Sequence, residues 1–532
     1  MHFHSAHLLA WVGALLVACV FYTLSIIVYR LFFHPLAKYP GPVLAKITGC
    51  YALYHAWKGD RHLEFYRLHQ MYGSVVRCGP NALSFDTATA LKDIYGFRSN
   101  VGKAEFYDAF AHPAHNTHNT RDKKEHARKR RVLSHAFSDA AVKEAERYIL
   151  QNVRTFCDVL APSSAEASWT THNMSDLCNW LAMDILGDLC FGKAFHMLER
   201  TDNRFAIDLV SAAAKRHVIC GTMPVIDRLG LDKYLFHKIA AGRARYIKYC
   251  GTQLAERMKL SEKDADRRDF FYYLLQARDP ETGQGFSKPE LWGEANLLII
   301  AGSDTTSTAM AATLFYLVRH AAALERASAE VRGVFADVEE IKQGAALASC
   351  TYLRACIDEA MRLSPSVGGL LPREVLLGGH VVDGHAIPAG VEVGTPHYAI
   401  HHNELYYPQA YSFVPERWIV GEQVPFVKTT VTDGDLSRAQ SAFCPFSVGP
   451  RGCIGKGLAY TEMMTTLARV LFLYDMRKAQ GVADPGEGGT SSGLFTARDY
   501  GRQRINEFQL TDTFTSTKDG PLVEVRARTS RA

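Results

Sequence analysis

The chain has 532 residues, 47% hydrophobic and 22% charged, which is enough apolar material for one large core and excludes a mainly disordered protein. Its 60 Lys and Arg against 55 Asp and Glu leave a net charge of +5, too small an excess to point to nucleic acid. Twelve cysteines occur without a C-x-x-C pair, the pattern of small buried hydrophobes in a reducing compartment rather than of a disulfide framework.

Leu8 to Tyr29 contains no charged side chain. As a helix this run would be about 33 Å long, enough to cross a hydrocarbon core. A cleaved signal peptide would have a basic start, a shorter run and a small-residue cleavage site. Here the start carries only His2, His4 and His7. Arg30 and Lys38 follow the run, so the body is expected to face the cytoplasm. Residues 1–30 therefore read as a single-pass membrane anchor. Residues 31–42 end in Pro40-Gly41-Pro42, which cannot continue a helix and reads as an extended, semi-rigid hinge. With no second linker and no internal repeat, 43–532 reads as one domain.

Helical periodicity dominates that domain, over Asp139–Leu160, Leu291–Arg319, Thr351–Leu363 and Gly455–Leu473. Strand-like pieces are short: Ser74–Arg77, Val381–Asp383, Val391–Thr395 and Leu522–Arg526. The expected class is mainly α with small β-sheets. Gly-rich Ala483–Gly493 reads as a surface loop. Lys123, Lys124, Arg128, Lys129 and Arg131 form a basic run, read either as a solvated face or as a dock for an acidic partner. His112, His115 and His118 recur every three residues, but Pro113 and the Asn/Thr neighbours describe a loop rather than a zinc site.

The longest helix is interrupted by Ala301-Gly302-Ser303-Asp304-Thr305-Thr306-Ser307. Glycine costs about 1 kcal/mol inside a helix, and β-branched threonines are mediocre formers. Hydroxyls that bond back to the preceding turn bend a helix and free carbonyls. An acid beside a hydroxyl can pass protons. Glu359 and Arg362 lie three apart on one helix face. Exposed pairs of this kind are worth under about 1 kcal/mol, but here Ile357, Met361 and Leu363 surround the pair. Leu371-Pro372-Arg373-Glu374 follows, then Phe413-Val414-Pro415-Glu416-Arg417-Trp418; His397, His401 and His402, just before it, read as structural.

The sharpest signal is Phe446-Ser447-Val448-Gly449-Pro450-Arg451-Gly452-Cys453-Ile454-Gly455. Its glycines and proline force a tight loop, and a patterned helix starts at Gly455. A cysteine at a helix entrance faces unpaired N–H groups and the positive dipole end, so this thiol is expected to ionise easily and to serve as a metal ligand. Two decoys fail: Gly455-Lys456 is followed by Gly457, unlike a phosphate loop, and no G-x-G-x-x-G follows a strand.

The loop resembles the haem-binding signature of the cytochrome P-450 family, F-x-x-G-x-R-x-C-x-G, at every fixed position, and the resemblance extends over about residues 35–527. It implies Cys453 as the axial thiolate of haem b, Arg451 as a propionate partner, Phe446 beside the sulfur, and Gly449 and Gly455 as points of close backbone approach to the porphyrin. The interrupted helix resembles the family's A-G-x-D-T-T motif. That implies Thr305 as the proton-donating hydroxyl, Asp304 in the relay, and Ala301 and Gly302 beside the oxygen gap. E-x-x-R and P-E-R-W imply a structural network of Glu359, Arg362 and Arg417, and Arg373 becomes a second propionate ligand. Where the family commonly has Trp-x-x-x-Arg, this chain has His126 and Arg130.

The resemblance implies a haem-thiolate monooxygenase of the fungal microsomal kind acting in secondary metabolism. Its electrons would come from NADPH through a separate flavoprotein, NADPH–cytochrome reductase, with cytochrome b5 as a further donor. Its place would be the endoplasmic reticulum membrane, with the catalytic domain 43–532 in the cytoplasm. Substrate contacts are expected from Val101–Thr120, Phe205–Leu229, Leu297–Ile300, Val367–Leu371 and Leu494–Ala497, making an apolar pocket. Alternatives are oxidative phenol coupling or rearrangement on the same haem, and a non-catalytic haem sensor.

Overall fold

The computed structural model describes residues 2–111, 115–161, 168–263, 267–425, 428–489, 495–496 and 498–528. The first helix, α1 (His2–Val28), runs into a wider π-helical turn at Tyr29–Phe33. Leu9–Phe33 has a mean hydropathy of 2.3 and none of it is buried against protein. This helix, apolar all round and uncovered by protein, is long and apolar enough to cross a membrane.

The Pro-rich segment after it is docked, not free. Leu36 and Tyr39 are buried. The N–H of Arg77, in strand β1 (Val75–Gly79), donates to the Pro40 carbonyl at 2.7 Å. The Arg77 guanidinium donates to the carbonyls of Arg30 and Pro80, both at 2.7 Å. At Gly41 a Cβ would lie 2.3 Å from the Arg77 carbonyl oxygen, so only glycine lets the two segments meet.

Strand β1 belongs to a five-stranded sheet with β2 (Ala82–Phe85), β3 (Val101–Lys103), β4 (Arg373–Val375) and β5 (Glu392–Gly394), in the order β1-β2-β5-β4-β3. Only β2 and β5 pair in parallel. Helix α2 (Ala88–Tyr95) packs on it through Leu91 and Ile94. The helical body comprises α3 (Lys123–Ser134), α4 (Asp139–Leu160), α5 (Met174–Phe191), α6 (Phe205–Thr222), α7 (Lys288–Leu317), α8 (Thr351–Leu363) and α9 (Lys456–Leu473), among shorter pieces. One apolar cluster joins α4, α5, α7, α8 and α9. Helix α7 passes through its middle, buried from Thr306 to Leu317. Its start, three residues before the predicted one, is set by a capping box of Ser287 and Glu290 with Pro289 in the first turn. A hairpin, β6 (Leu510–Thr513) and β7 (Thr515–Lys518), lies against α7 and was not among the predicted elements.

Behind α7 a fully buried ionic network ties α8 to the segment before Trp418. Arg362 donates to both oxygens of Glu359 at 2.9 Å, and Arg417 donates to Glu359 Oε1 at 3.0 Å. The Val414 N–H and the Trp418 ring N–H, each at 3.0 Å, also donate to that carboxylate. The remaining Arg362 donors reach the carbonyls of His401, Ala410 and Ser412. Every charge is paired, the condition under which a buried triad is tolerated. Burial would raise the Glu359 pKa, but the charges of Arg362 and Arg417 outweigh it and hold the carboxyl below its ordinary value. Glu359→Ala would leave two buried guanidinium groups unpaired, so we expect a loss of about 3–5 kcal/mol in chemical denaturation. Because the folded value is depressed, the Glu359 contribution is complete above about pH 4.5 and is lost as acid takes the pH through the folded value. Glu359→Gln should therefore show a flatter acid limb in the pH dependence of stability.

Candidate functional site

A cavity of about 440 Å³ lies between the middle of α7 and the loop that precedes α9, and both Cys453 and Thr305 line it. The loop is closed by its own backbone. Cys453 N–H donates to the Phe446 carbonyl at 2.8 Å, Gly452 N–H to Gly449 at 2.9 Å, and Ser447 N–H to Cys444 at 2.8 Å. Gly449 has φ +72°, and a Cβ there would meet the Tyr95 carbonyl oxygen of α2 at 2.0 Å. Its glycine is thus required by the contact with α2, not only by any approach to a porphyrin. At Gly455 a Cβ would be in ordinary contact with Phe137, and the Gly455 N–H is directed at the Cys453 sulfur instead. Phe446 lines the cavity and packs on Tyr460, with ring centroids 5.2 Å apart.

The expectation that the Cys453 thiol ionises easily is corrected. It faces the cavity but is enclosed by protein, and that burial raises its pKa above the ordinary value. The Gly455 N–H and the charges of Arg130 and Lys456 pull the other way without reversing it. The helix entrance alone does not make a thiolate here; a cation bonded to sulfur would.

One rim of the cavity is cationic. Lys103 on β3 and Arg373 on β4 are direct cross-strand partners, both buried, and Arg451 and Arg130 line the cavity beside them. Like charges opposite one another destabilise a sheet. Among the described residues none of the four has a carboxylate within ion-pair distance. Arg373 donates to the Tyr107 hydroxyl, Arg451 to the carbonyls of Thr120 and Arg121, Arg130 to that of Gly452, and Lys103 to that of His118. Burial, then Arg373 and Arg451, push Lys103 well below the ordinary lysine value. Arg451 is pushed down to about 10 by burial and by Arg373. His126 also lines the cavity, pushed down to about 3 by burial and the Arg451 charge, and so is neutral. Two buried basic side chains and two partly buried ones, with no carboxylate beside them among the described residues, make this rim suited to an anion from outside the chain. A flat group with two carboxylates on one edge and a metal cation at its centre fits both this rim and the thiol. Sequence reading missed Lys103; the signal was a lysine opposite Arg373 in a strand pair, invisible without the register.

On the other wall, Thr305 Oγ1 donates to the Ala301 carbonyl at 2.7 Å, the expected back-bond, yet α7 continues as one helix. Ala301, Gly302, Thr305 and Thr306 line the cavity. A Cβ at Gly302 would lie 2.8 Å from Leu186 Cδ1 on α5, so a larger residue there would make the Leu186 side chain shift. Asp304 does not line the cavity and makes no hydrogen bond to the Thr305 hydroxyl. Its Oδ2 accepts from the Thr515 hydroxyl on β7 at 3.2 Å, and Thr515 does line the cavity. Burial raises the Asp304 pKa, against the charge of Lys518 and the Thr515 bond. Lys518 donates to Asn179 Oδ1 at 2.7 Å and to Ser307 Oγ at 2.9 Å. Burial pushes Lys518 down to about 8.

The basic run is corrected as well. Arg128 and Lys129 pair with Glu125 and Glu290, and Arg131 pairs with Asp279 and Glu281. Carboxylates brought from α7 and the loop before it neutralise these cations, leaving Lys123 and Lys124 exposed. Of the predicted substrate segments, Phe110, His118, Leu209, Leu297, Ile300 and Val367 line the cavity; Leu494, Ala497 and His112 lie outside the described residues. His397 lines the cavity too, whereas the His401 ring accepts the Cys444 N–H at 3.0 Å, a structural bond.

Comparison with known proteins agrees with this geometry. The family described as Cytochrome P450 matches residues 39–498. "Cytochrome P450 monooxygenase AKT7" of Alternaria alternata is 40% identical over 95% of this chain and 95% of its own length. "Cytochrome P450 monooxygenase poxM" of Penicillium oxalicum is 40% identical over 95% and 93%. "Cytochrome P450 monooxygenase atnE" of Emericella nidulans is 41% identical over 98% and 96%.

Lys103→Met should lower haem retention during purification and raise the haem dissociation rate about ten-fold or more, since one charge-assisted hydrogen bond is worth roughly 1.5–3 kcal/mol. The same variant should make the haem-free chain more stable, because a buried like-charge pair is removed. Unchanged haem binding together with unchanged stability would exclude Lys103 from the anionic rim.

Proposed function

The chain belongs to the cytochrome P450 family and is a monooxygenase, and from that premise we propose that it oxidises an apolar small molecule of fungal secondary metabolism, with Cys453 as the haem ligand. The supporting observation is the shared cavity that brings Cys453, the cationic rim and the Thr305 turn of α7 together. Electrons come from NADPH through a separate flavoprotein reductase, with cytochrome b5 as a further donor. The anchor α1 sits in the endoplasmic reticulum membrane and the body faces the cytoplasm, in keeping with Arg30 and Lys38 after the apolar run.

Haem is the family's prosthetic group, and when bound through a thiolate it supplies reductive activation of O2 and insertion of one oxygen atom into a substrate bond. Cys453 would hold the iron from the closed loop, with the Gly455 N–H on its sulfur. Lys103, Arg130 and Arg451, which line the cavity, and Arg373, the cross-strand partner of Lys103, would hold the propionates. Asp304 is bonded to the Thr515 hydroxyl, and Thr515 and Thr305 both line the cavity, so these three groups are the ones that would supply protons to it. Ser366 Oγ donates to the Thr305 carbonyl at 2.8 Å and keeps that turn in place. Leucine, isoleucine and phenylalanine side chains on the remaining lining exclude water.

Cys453→Ala should abolish the thiolate-type spectrum of the ferrous carbonyl complex; its survival would remove Cys453 as the ligand. Thr305→Ala should keep that spectrum and divert NADPH electrons into hydrogen peroxide, a loss of coupling of about 10²-fold, the lower end of what general acid–base catalysis contributes. Thr515→Val should do the same to a lesser degree, and full coupling in both variants would place proton delivery elsewhere. Incorporation of labelled O2 into product separates oxygen insertion from oxidative coupling, which leaves no label.

A further inference from the structure

Resting on the monooxygenase reading above, we propose that solvent protons enter through a crevice behind the C-terminal hairpin, where Lys518, a positioning residue that acts through Asp304, recharges that acid. Asp304 and Lys518 are both half-buried, and neither lines the cavity. The surface they keep is thus outside the cavity, where α5, α7 and β7 meet. Thr515, bonded to Asp304 Oδ2, is the member of the group that reaches the cavity. Asp304 Oδ1 has no hydrogen bond among the described residues, yet it is not sealed from water.

Lys518 Nζ donates to Asn179 Oδ1 on α5 at 2.7 Å and to Ser307 Oγ on α7 at 2.9 Å, and Ser307 Oγ donates to Asn179 Oδ1 at 2.6 Å. An ammonium has three donors, so one N–H is left over. Asp304 of α7 and Asp176 of α5 face Lys518, but neither forms an ion pair with it. Cys178 of α5 faces it too and stays neutral, pushed up to about 12 by burial. Asp176 and Asp519 are exposed at the mouth; Arg204 faces Asp176, and Asn173 Nδ2 donates to Asp519 Oδ1 at 2.8 Å. A glutamine would tie α5, α7 and the hairpin together through the same oxygens without the cost of enclosing a charge. What the ammonium adds is a proton that can leave, beside a carboxyl oxygen across a gap that water can bridge.

The two groups are also drawn together in acidity. Burial lowers Lys518 to about 8 and raises Asp304 above its ordinary value. Proton transfer between groups of closer acidity costs less. In the step, an N–H bond of Lys518 breaks and an O–H bond forms on Asp304, by way of the bridging water. The neutral amine then takes a proton back from bulk solvent. Each proton that Asp304 passes to Thr515 is replaced in this way. Lys518 is charged below about pH 8 and neutral above it, so the supply is complete on the acid side and fails as the pH rises through that value.

The test uses full-length, haem-loaded protein whose ferrous carbonyl spectrum has first been recorded. Absence of the thiolate band at that stage would overturn the function reading instead. Acetic anhydride probes the crevice without turnover, because it acylates only a neutral amine that it can reach. Its rate at Lys518, read by peptide mass spectrometry, should reach half its limit at about pH 8, lower than for an ordinary lysine. Asp304→Asn removes a negative charge and should move that midpoint to lower pH. With excess reductase and dioxygen as the sole acceptor, NADPH consumption by the native protein should fall as the pH rises through about 8 and should be slower in D2O. Lys518→Gln has no proton to give; at about pH 7 it should consume NADPH about ten-fold more slowly, a smaller loss than that of a direct acid, and lack the alkaline limb. Its carbonyl spectrum and first-electron reduction, which need no proton, should match the native protein. The proposal is overturned if Lys518 resists acylation, which would mean that the crevice is closed, or if Asp304→Asn leaves the midpoint in place. It is also overturned if Lys518→Gln consumes NADPH at the native rate with the native pH limb.

Discussion

A thiol must become an anion inside the protein, and in this chain burial works against it. The Gly455 N–H, Arg130 and Lys456 reduce the cost without cancelling it. On the rim of the same cavity, Lys103, Arg451 and Arg130, with Arg373 beside Lys103, present the opposite problem, positive charge without a carboxylate partner among the described residues. Both are resolved by one ligand with a metal cation at its centre and two acids on its edge. Binding of such a group is then also a folding event, since it relieves charges that the bare chain bears at its own expense. The fully paired Glu359–Arg362–Arg417 network behind the cavity shows the contrast. There every charge has its partner within the chain, and nothing is left for a ligand to satisfy.

The C-terminal hairpin links the chemistry to the end of the chain. Thr515 reaches Asp304, Lys518 reaches Ser307 and Asn179, and the Thr308 hydroxyl lies 3.4 Å from the Ser516 carbonyl. The Ser516 N–H donates to Ser366, whose hydroxyl in turn donates to the Thr305 carbonyl. The turn of α7 that carries the acid and the hydroxyl is thus held by residues some 200 positions away in sequence. Substitutions at Ser516 or Lys518, which do not line the cavity, can alter that turn without changing the lining.

Much of this was legible in the sequence, and unevenly so. Helices α4 and α8 could be bounded because a cap or a break coincides with the end of an apolar pattern, as with Ser138 before Asp139. The cysteine loop could be read because its spacing is local. Lys103 could not, because its meaning depends on facing Arg373 across a register that no periodicity encodes. The run at Arg128–Arg131 looked like a free basic face, since its neutralising carboxylates, Asp279, Glu281 and Glu290, lie about 150 residues downstream. Ionisation of Cys453 was misread for a related reason. A helix terminus is visible in sequence, whereas the low-polarity surroundings that oppose it are assembled from distant segments. The 510–518 hairpin was overlooked because its threonines and Asp512 read as polar loop, and Phe514 turns the chain with φ +81°.

The clamp between Arg77 and the segment behind the anchor has a mechanical consequence. Through the Arg77 side-chain bond to the Arg30 carbonyl and its backbone bond to Pro40, β1 holds the chain as it leaves α1. A body gripped in this way cannot swivel on its tether. Shortening the protein for expression in soluble form is therefore not equivalent at every position. A cut that spares residues 30–47 removes only the tether, and one beyond them unseats an edge of the sheet itself.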